Sequence, residues 1–238
     1  MKAVILAGGK GRRLAPYTTV FPKPLMPIGD MPILEVVLRQ LKQHGFDDVT
    51  MAVGHLAELL KAFFNDGEKF GIKIGYSMED KPLGTAGPLS LIKGLDETFI
   101  VMNGDVLTDM NYSDLYRFHC ERGAAATVAT YERTVKIDFG VVETDEENFI
   151  AEYIEKPTMN YRVSMGIYVF DPSVLAYIKP NEYFDFPDLV RLLIKEGKKV
   201  AAYPFNGYWL DIGRPDDYER AVDEFEQNKH RFLGDPEN

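Results

Sequence analysis

Short apolar runs alternate with amphipathic stretches along the first half of the chain, and this alternation limits the fold more than any other feature. The first run is almost continuously apolar, which is typical of a strand buried on both faces of a parallel sheet. The runs are KAVILA, DVTMAV and TFIVMN. Between the first two, apolar residues recur at the helical spacing i, i+3, i+4, i+7 from Leu34 to Leu41. The pattern predicts right-handed βαβ units that form a parallel sheet covered by helices.

The pattern changes after residue 124, where strand-like segments follow one another with few helices between them. These segments are ATVATY, FGVVET, FIAEYIE, RVSMGIYVF and KVAAYPF, with helices expected in FDFPDLVRLLIKEG and over 214–230. Earlier, PLGTAGPLSLIKG is expected to pass from a loop into a helix, and the tail FLGDPEN is expected to fray. No linker separates the halves. We therefore predict one Rossmann-like α/β domain over residues 1–238, with a mixed, mostly parallel sheet and added strands in the second half.

Charge and cysteine content exclude several classes of protein. The formal net charge is −10, which disfavours nucleic-acid or anionic-membrane binding because both require a basic face. Cys120 is the single cysteine, so no intrachain disulfide can form. The first apolar run is too short for a signal peptide, and no run is long enough to span a bilayer. We expect a cytoplasmic protein.

A glycine-rich loop, LAGGKGRRLAP, follows the first predicted strand. The Walker spacing is absent, and the dinucleotide fingerprint fails because Leu14 stands where its third glycine belongs. Glycines let backbone N–H groups approach phosphate oxygens closely. Arg12 and Arg13 add forked donors, Lys10 and Lys23 add point charges, and no acid precedes Asp30. The loop is expected to bind a polyphosphate; the alternative is a solvated basic turn.

Two aspartates come at the ends of apolar segments: Asp105 ends FIVMNGD, and Asp211 follows the aromatic pair in YWLDIG. Ligands bind at strand ends in open α/β sheets, and Mg²⁺ sites commonly use one or two carboxylates. Either aspartate could instead form a turn or cap a helix.

The motifs together resemble the signature of the sugar-1-phosphate nucleotidylyltransferases, L-A-G-G-x-G-T-R-L-x-P followed by P-K-P-L-x-P-[IV]. In this chain the two parts are LAGGKGRRLAP and PKPLMPI, and NGD, EKP and WLDIG follow in the family's order. One residue departs from the signature, since Arg12 stands where the family usually has threonine. The resemblance implies a glycosyltransferase-A-like nucleotidyltransferase fold, with a nucleotide-binding half over about 1–123 and a sugar-phosphate-binding half over about 124–230. A carboxyl-terminal β-helix found in several relatives is not expected.

The resemblance also implies a reaction in which a sugar 1-phosphate and a nucleoside triphosphate (NTP) give a nucleotide-sugar and pyrophosphate. Arg13 would hold the leaving pyrophosphate, Lys23 would hold the phosphates at the reacting centre, and Asp105 and Asp211 would bind Mg²⁺. The implied nucleotide-binding residues are Leu6, Ala7, Gly8, Gly9, Gly11, Arg12, Arg13, Leu83, Gly84 and Thr85. The implied sugar-phosphate-binding residues are Gly140, Glu155, Lys156 and Gly166. For the two glycines the alternative is a bulge in a strand.

The sequence also gives a prediction of which NTP and which sugar 1-phosphate the protein uses. PLGTAGPL and NGDVLTD look most like the mannose-1-phosphate guanylyltransferase branch, which implies GTP and a mannose-1-phosphate-like sugar. The alternatives are UTP, dTTP or CTP with a glucose or amino-sugar 1-phosphate, and a catalytically silent subunit that binds nucleotide or sugar phosphate for regulation. The expected partners are the NTP and the sugar 1-phosphate, without nucleic acid or membrane, and a homo-oligomer remains open.

Overall fold

The protein, described here from a computed structural model, has the predicted α/β architecture: a seven-stranded, mostly parallel sheet flanked by helices. The structure describes residues 1–234, so the last four residues of the expected frayed tail lie outside it. The strands are β1 Lys2–Ala7, β2 Pro27–Ile28, β3 Met31–Pro32, β4 Asp48–Val53, β5 Lys73–Met78, β6 Phe99–Asn103, β7 Val106–Thr108, β8 Ala126–Lys136, β9 Val141–Thr144, β10 Ile150–Ile154, β11 Thr158–Phe170, β12 Val200–Phe205 and β13 Trp209–Asp211. The α-helices are α1 Ile33–Gln43, α2 Ala57–Phe64, α3 Tyr112–Arg122, α4 Phe186–Lys195, α5 Pro215–Gln227 and α6 Lys229–Leu233.

The main sheet has the order β12-β8-β11-β6-β1-β4-β5. All of its strands run in one direction except β11, which is antiparallel to both neighbours, β6 and β8. The chain leaves β1 towards β4 on one side and later returns to β6 on the other. The space beyond the carboxyl ends of β1 and β6 is therefore a topological switch point, the usual place for a ligand in this class of sheet.

The apolar runs are continuous because both faces of the sheet are covered. Along β1, Ala3 and Ile5 contact one buried cluster, which includes residues of α1, while Val4 contacts a second cluster with residues of α4. A third cluster joins α5 and α6 to α1. Within residues 1–234, no helix is long and apolar enough to cross a lipid bilayer.

The paired strands β8 and β11 extend beyond the main sheet and carry the small β9–β10 sheet at their end. We call residues 131–162 the arm. Because β8 runs parallel to β6, the arm leaves the sheet at the edge where β1 and β6 end. Its β8 strand continues about six residues past that edge, a reach of roughly 20 Å. Its apolar side chains are unusually exposed, with Phe139 at 79% and Phe149 at 67%.

The prediction of a helix in PLGTAGPLSLIKG is wrong. This segment forms only the short 3-10 turn Gly87–Leu91. The amides of Ala86 and Gly87 both donate to the carbonyl oxygen of Phe184, at 2.9 Å each. Ser90 Oγ donates to the carbonyl oxygen of Gly87 at 2.7 Å. These bonds to a distant segment and a side chain replace the i to i−4 pattern that an α-helix requires.

The start of the tail is also ordered where fraying was expected. Phe232 lies in α6 with only 2% of its surface exposed, and its ring centroid is 5.5 Å from that of Tyr208 and 5.8 Å from that of Phe225. Gln40 Nε2 donates to the carbonyl oxygens of Phe232 (3.0 Å) and Thr108 (2.6 Å), which fastens α6 to the rest of the fold.

Replacing Phe232 by alanine should therefore destabilise the whole domain. Removal of a fully buried phenylalanine leaves a cavity and costs about 3–5 kcal/mol. Urea unfolding at fixed protein concentration measures the loss, and His230→Ala, an exposed change in the same helix, is the matched control. Equal midpoints for the two variants would show that α6 contributes nothing to the cooperative unit.

Candidate functional site

A cleft of about 900 Å³ opens at the carboxyl ends of β1, β4, β5 and β6, at the switch point of the sheet. This volume falls in the range of roughly 300–1,000 Å³ that is typical of small-molecule sites. Most of the residues singled out from the sequence line it. They are Leu6, Ala7, Gly8, Gly9, Gly11, Arg12, Arg13, Lys23, Leu83, Gly84, Thr85 and Asp105.

The glycine-rich loop has a defined conformation at Gly11, whose φ is +58°. Thr18 Oγ1 donates to the carbonyl oxygen of Gly11 at 2.7 Å, and a Cβ at this position would lie 2.9 Å from Thr18 Cγ2. A 3-10 turn follows over Arg12–Leu14, and it buries Leu14 while Arg12 and Arg13 stay exposed. Neither arginine forms an ion pair with any residue between 1 and 234, so both guanidinium groups are available to an anion.

Lys23 is the most buried cation of the cleft, with 8% of its surface exposed. It lies in a 3-10 turn flanked by prolines, and Nζ forms an ion pair with Asp105 Oδ2. Asp105 Oδ1 is buried and accepts no hydrogen bond from the residues that the structure describes. An unpaired carboxylate oxygen is costly in such a place, so it points to a ligand that the carboxylate would bind.

Asp211 lies beside Asp105, although the two are far apart in the chain. Strands β7 and β13 pair antiparallel with Val106 opposite Asp211, and the Ile212 amide donates to the Asp105 carbonyl oxygen at 3.1 Å. Burial, and after it the charge of Asp105, raises the pKa of Asp211 against opposing effects of Lys23 and Arg13.

Arg13 reaches the same point from the glycine-rich loop. A Cβ built on Gly213 would lie 3.2 Å from Arg13 Nη1 and 3.3 Å from Asp211 Oδ2, so the two groups flank this glycine. Opposite charges from three distant parts of the chain therefore converge at one end of the cleft.

The pair of aspartates fits a divalent cation. A hard cation such as Mg²⁺ uses one or two carboxylates and fills its other positions with water and substrate phosphates. Asp105 Oδ1 accepts no hydrogen bond from the residues described, and burial, together with the charge of Asp105, disfavours the charged form of Asp211. A cation between them would relieve both costs. Over residues 1–234 there is no cluster of three or more metal-ligating side chains, so the protein would supply a minority of the ligands.

Glu79 is a functional candidate that the sequence reasoning missed. It directly follows β5, lines the cleft, and its Oε2 accepts a hydrogen bond from the Leu83 amide at 3.2 Å. Its Oε1 lies so close to Gly8 that a side chain at Gly8 would collide with it. A Cβ on Gly54 would lie 3.1 Å from the same oxygen. Burial raises the pKa of Glu79, against the opposing effect of the Leu83 hydrogen bond. Its position at a strand end, on the same sheet edge as the glycine-rich loop, was the available signal.

The predicted sugar-phosphate-binding residues lie apart from the cleft lining. Gly166 sits in a bulge of β11 with φ +73°, and a Cβ there would lie 2.6 Å from Nδ2 of Asn103, which does line the cleft. Gly140, Glu155 and Lys156 are on the arm. Glu155 and Lys156 are 61% and 59% exposed, and the oxygen and nitrogen atoms of their side chains are 3.9 Å apart.

Two proteins similar to this chain in sequence are named as nucleotidyltransferases that act on sugar 1-phosphates. The chain is 38% identical over 242 residues to a UTP–glucose-1-phosphate uridylyltransferase of Synechocystis, with 93% of this chain and 62% of that protein covered. It is 35% identical over 231 residues to a mannose-1-phosphate guanyltransferase of Candida albicans, with 92% and 62% covered. The chain thus spans less than two thirds of the length of these relatives.

A solved structure from Bacillus anthracis, described as a putative glucose-1-phosphate thymidylyltransferase, superimposes with a TM-score of 0.77. It shares 26% sequence identity, and the match covers all of this chain and 97% of the other. A family model described as nucleotidyl transferase matches residues 2–228. On that match, which takes in the cleft and the arm, the chain belongs to the nucleotidyl transferase family.

Proposed function

We propose that this protein transfers a nucleotidyl group from an NTP to a sugar 1-phosphate, with release of pyrophosphate and with Mg²⁺ as cofactor. One observation supports the proposal above the others: Arg13, Lys23 and Asp105 line one cleft beside a glycine-rich loop, and Asp211 lies next to Asp105 at its end. Phosphoryl-type transfer needs positioning and charge neutralisation, and this cluster supplies both without a nucleophile from the protein.

The position of each residue in the cleft suggests which part of the substrates it binds. The backbone N–H groups of the glycine-rich loop and the free guanidinium groups of Arg12 and Arg13 would bind the β- and γ-phosphates, and Arg13 would hold the leaving pyrophosphate. Lys23 would lie at the α-phosphorus, where it stabilises charge on the oxygens as the sugar phosphate attacks in line. Asp105 and Asp211 would hold the Mg²⁺, which neutralises phosphate charge when bound.

The sugar phosphate would approach from the arm. The arm leaves the sheet at the same edge as the cleft, so a substrate between the two could meet both. We propose that Lys156 binds its phosphate, that Glu155 accepts from sugar hydroxyls, and that Gly140 and Gly166 offer backbone groups at positions without a side chain. The exposure of Glu155 and Lys156 leaves their polar atoms accessible to such a ligand.

Glu79 supports GTP as the nucleotide. Guanine presents two adjacent donors, N1–H and N2–H, to which a carboxylate can accept two hydrogen bonds. Uracil presents one donor, N3–H, between two carbonyl oxygens. A carboxylate can accept from N3–H, but its second oxygen is then repelled by a uracil carbonyl oxygen. Glu79 lines the cleft; its Oε2 already accepts from the Leu83 amide, while its Oε1 accepts no hydrogen bond from the residues described. A mannose-1-phosphate-like sugar is the matching partner by resemblance, and the uridylyl relative makes UTP with a glucose 1-phosphate the first alternative.

Replacing Glu79 by glutamine should change the base preference. The amide can accept from uracil N3–H and donate to a uracil carbonyl oxygen, while it loses one acceptor for guanine. A bidentate base contact discriminates by about 1–3 kcal/mol, so kcat/KM for GTP should fall by about tenfold or more relative to UTP. The measurement is the ratio of the two kcat/KM values. An unchanged ratio would remove Glu79 from base recognition.

The direct test of the proposed function is pyrophosphate release with Mg²⁺. GTP, UTP, dTTP, CTP and ATP are each crossed with mannose, glucose and N-acetylglucosamine 1-phosphates. We expect release with GTP and mannose 1-phosphate that disappears when the sugar phosphate is omitted. Release without a sugar phosphate would indicate a hydrolase. Nucleotide binding by calorimetry without release for any pair would support the silent regulatory subunit instead.

A further inference from the structure

The loop that carries Leu83, Gly84 and Thr85 is held by a segment from the second half of the chain. We call residues 83–87 the base loop and residues 183–186 the bracing segment. The Phe184 amide donates to the Leu83 carbonyl oxygen at 2.9 Å, and the amides of Ala86 and Gly87 donate back to the Phe184 carbonyl oxygen. The two segments therefore share a short set of backbone hydrogen bonds across the cleft wall.

Asp185 adds a side-chain network to this pairing. Its Oδ1 accepts from the Thr85 amide (2.9 Å) and from Thr85 Oγ1 (3.0 Å). The Phe186 amide donates to Thr85 Oγ1 at 2.8 Å, so the threonine hydroxyl both donates and accepts. Asp185 Oδ2 accepts from the hydroxyl of Tyr183 at 2.6 Å. Burial raises the pKa of Asp185, but hydrogen bonds from Tyr183 and Thr85 outweigh it, so the pKa is lowered and the group is charged at neutral pH.

The base loop cannot move against the bracing segment without losing its conformation. Gly84 has φ +77°, and a Cβ on it would lie 2.7 Å from the Phe184 carbonyl oxygen and 2.8 Å from Asp185 Oδ1. A side chain at Gly84 would therefore separate the two segments. The close approach sets where Leu83 and Thr85 stand along the wall of the cleft.

Tyr183 is the part of the bracing segment that a ligand can touch. It lines the cleft, and it is 65% exposed. Its hydroxyl is fixed by Asp185, and its ring contacts no other aromatic ring in the part of the chain that the structure describes. An oriented aromatic ring with a free face at the base end of a nucleotide cleft is a surface on which a base or a ribose can pack.

We infer that Tyr183 contacts the nucleoside of the bound NTP, and that Asp185 is a positioning residue that holds Tyr183 and the base loop in the conformation that reads the base. The inference rests on the proposed function and deepens it. It assigns part of nucleotide recognition to the second half of the chain, which the sequence associates with the sugar phosphate.

The test measures nucleotide binding and turnover separately in the full chain. Tyr183→Ala removes the ring, Tyr183→Phe keeps the ring but loses the hydroxyl, and Asp185→Ala removes the carboxylate. Asp188→Asn, an exposed aspartate paired with Arg191 in the same region, is the control. The readouts are the Kd of the NTP by calorimetry, KM and kcat for each substrate, and the ratio of kcat/KM for GTP and UTP.

We expect Tyr183→Ala to raise the Kd and KM for the NTP by about tenfold or more, with kcat and the KM for the sugar phosphate little changed. Tyr183→Phe should have a smaller effect. Asp185→Ala should weaken NTP binding and also lower the GTP-to-UTP ratio, because the base loop loses its register. Asp185→Asn should recover most of this loss, since its amide oxygen can still accept from Thr85 while its amide nitrogen donates to the Tyr183 oxygen.

The outcomes separate this inference from the proposed function. If the wild type releases pyrophosphate while both alanine variants keep its Kd and base preference, the inference alone is overturned. If the wild type binds and turns over none of the NTPs, the proposed function fails and the inference fails with it. Thermal unfolding shows whether Asp185→Ala remains folded, and the surface changes at Tyr183 test the inference even if it does not.

Discussion

Lys23→Ala should lower kcat by about 100- to 1,000-fold, the loss typical when one preorganised group that stabilises transition-state charge is removed. Lys23 is buried at the end of the cleft where Asp105 and Asp211 meet, so water cannot readily replace its charge. The KM for the NTP should change much less, because the glycine-rich loop and the two arginines still bind the distal phosphates. The measurement is steady-state pyrophosphate release at saturating Mg²⁺.

Lys195→Ala is the matched control, since Lys195 is an exposed lysine at the end of α4 and lies outside the cleft. It should keep the wild-type rate. Circular dichroism in the presence of Mg²⁺ checks that Lys23→Ala keeps the fold, because removal of Lys23 leaves the carboxylate of Asp105 without its ion-pair partner. A rate within threefold of the wild type would contradict the role of Lys23 at the reacting centre.

Asp211→Asn should have opposite effects on activity and on the stability of the metal-free protein. Activity should fall at least a hundredfold, and added Mg²⁺ should not restore it, because one of two protein ligands is lost. The metal-free domain should become more stable at neutral pH. The pKa of Asp211 is raised above its ordinary value of 3.8, so the fold disfavours the charged carboxylate.

The sign of the pH dependence follows from the raised pKa. A group whose pKa is higher in the folded state contributes stability that is fully present below its ordinary pKa and is lost as the pH rises through the raised value. Asparagine carries no charge at any of these pH values. The stability advantage of Asp211→Asn should therefore be absent near pH 3.8 and grow as the pH rises through the pKa of the folded state.

Thermal unfolding in EDTA between about pH 3.8 and neutral pH measures the difference in stability between Asp211→Asn and the wild type. Titration of pyrophosphate release with Mg²⁺ measures the activity. Asp223→Asn, which removes an exposed carboxylate from α5, is the matched control and should change neither quantity. A variant that is less stable than the wild type at neutral pH would show that Asp211 makes stabilising contacts in the metal-free state. A normal Mg²⁺ response would exclude Asp211 as a ligand.

The parts of the fold that were predicted correctly depend on local patterns. The strands β1, β4 and β6 are recognisable as short, mostly apolar runs because both faces of the sheet are covered, and α1 is recognisable from its helical spacing. The glycine-rich loop could be placed because its glycines and cations are consecutive in sequence. In each case the pattern is confined to a few consecutive residues.

The parts that were missed depend on contacts between distant residues. The base loop looks like the start of a helix, but its amides pair with Phe184 instead. Phe232 looks like part of a polar tail until α5 and Tyr208 are placed beside it. Glu79 belongs to a charged stretch, EDK, that is typical of a solvated turn, and only the sheet brings it over Gly8. No local periodicity encodes these three arrangements.

The position of β11 between β6 and β8 has a consequence for dividing the chain. A fragment that stopped at residue 123 would expose one edge of β6, a central strand with four buried apolar side chains, and such an edge promotes aggregation. The complementary fragment would hold the missing strand, and Gly123 at the junction is exposed. Two separately expressed halves should therefore be insoluble alone yet capable of reassembly by strand addition when they are produced together, which makes this junction suitable for a split reporter.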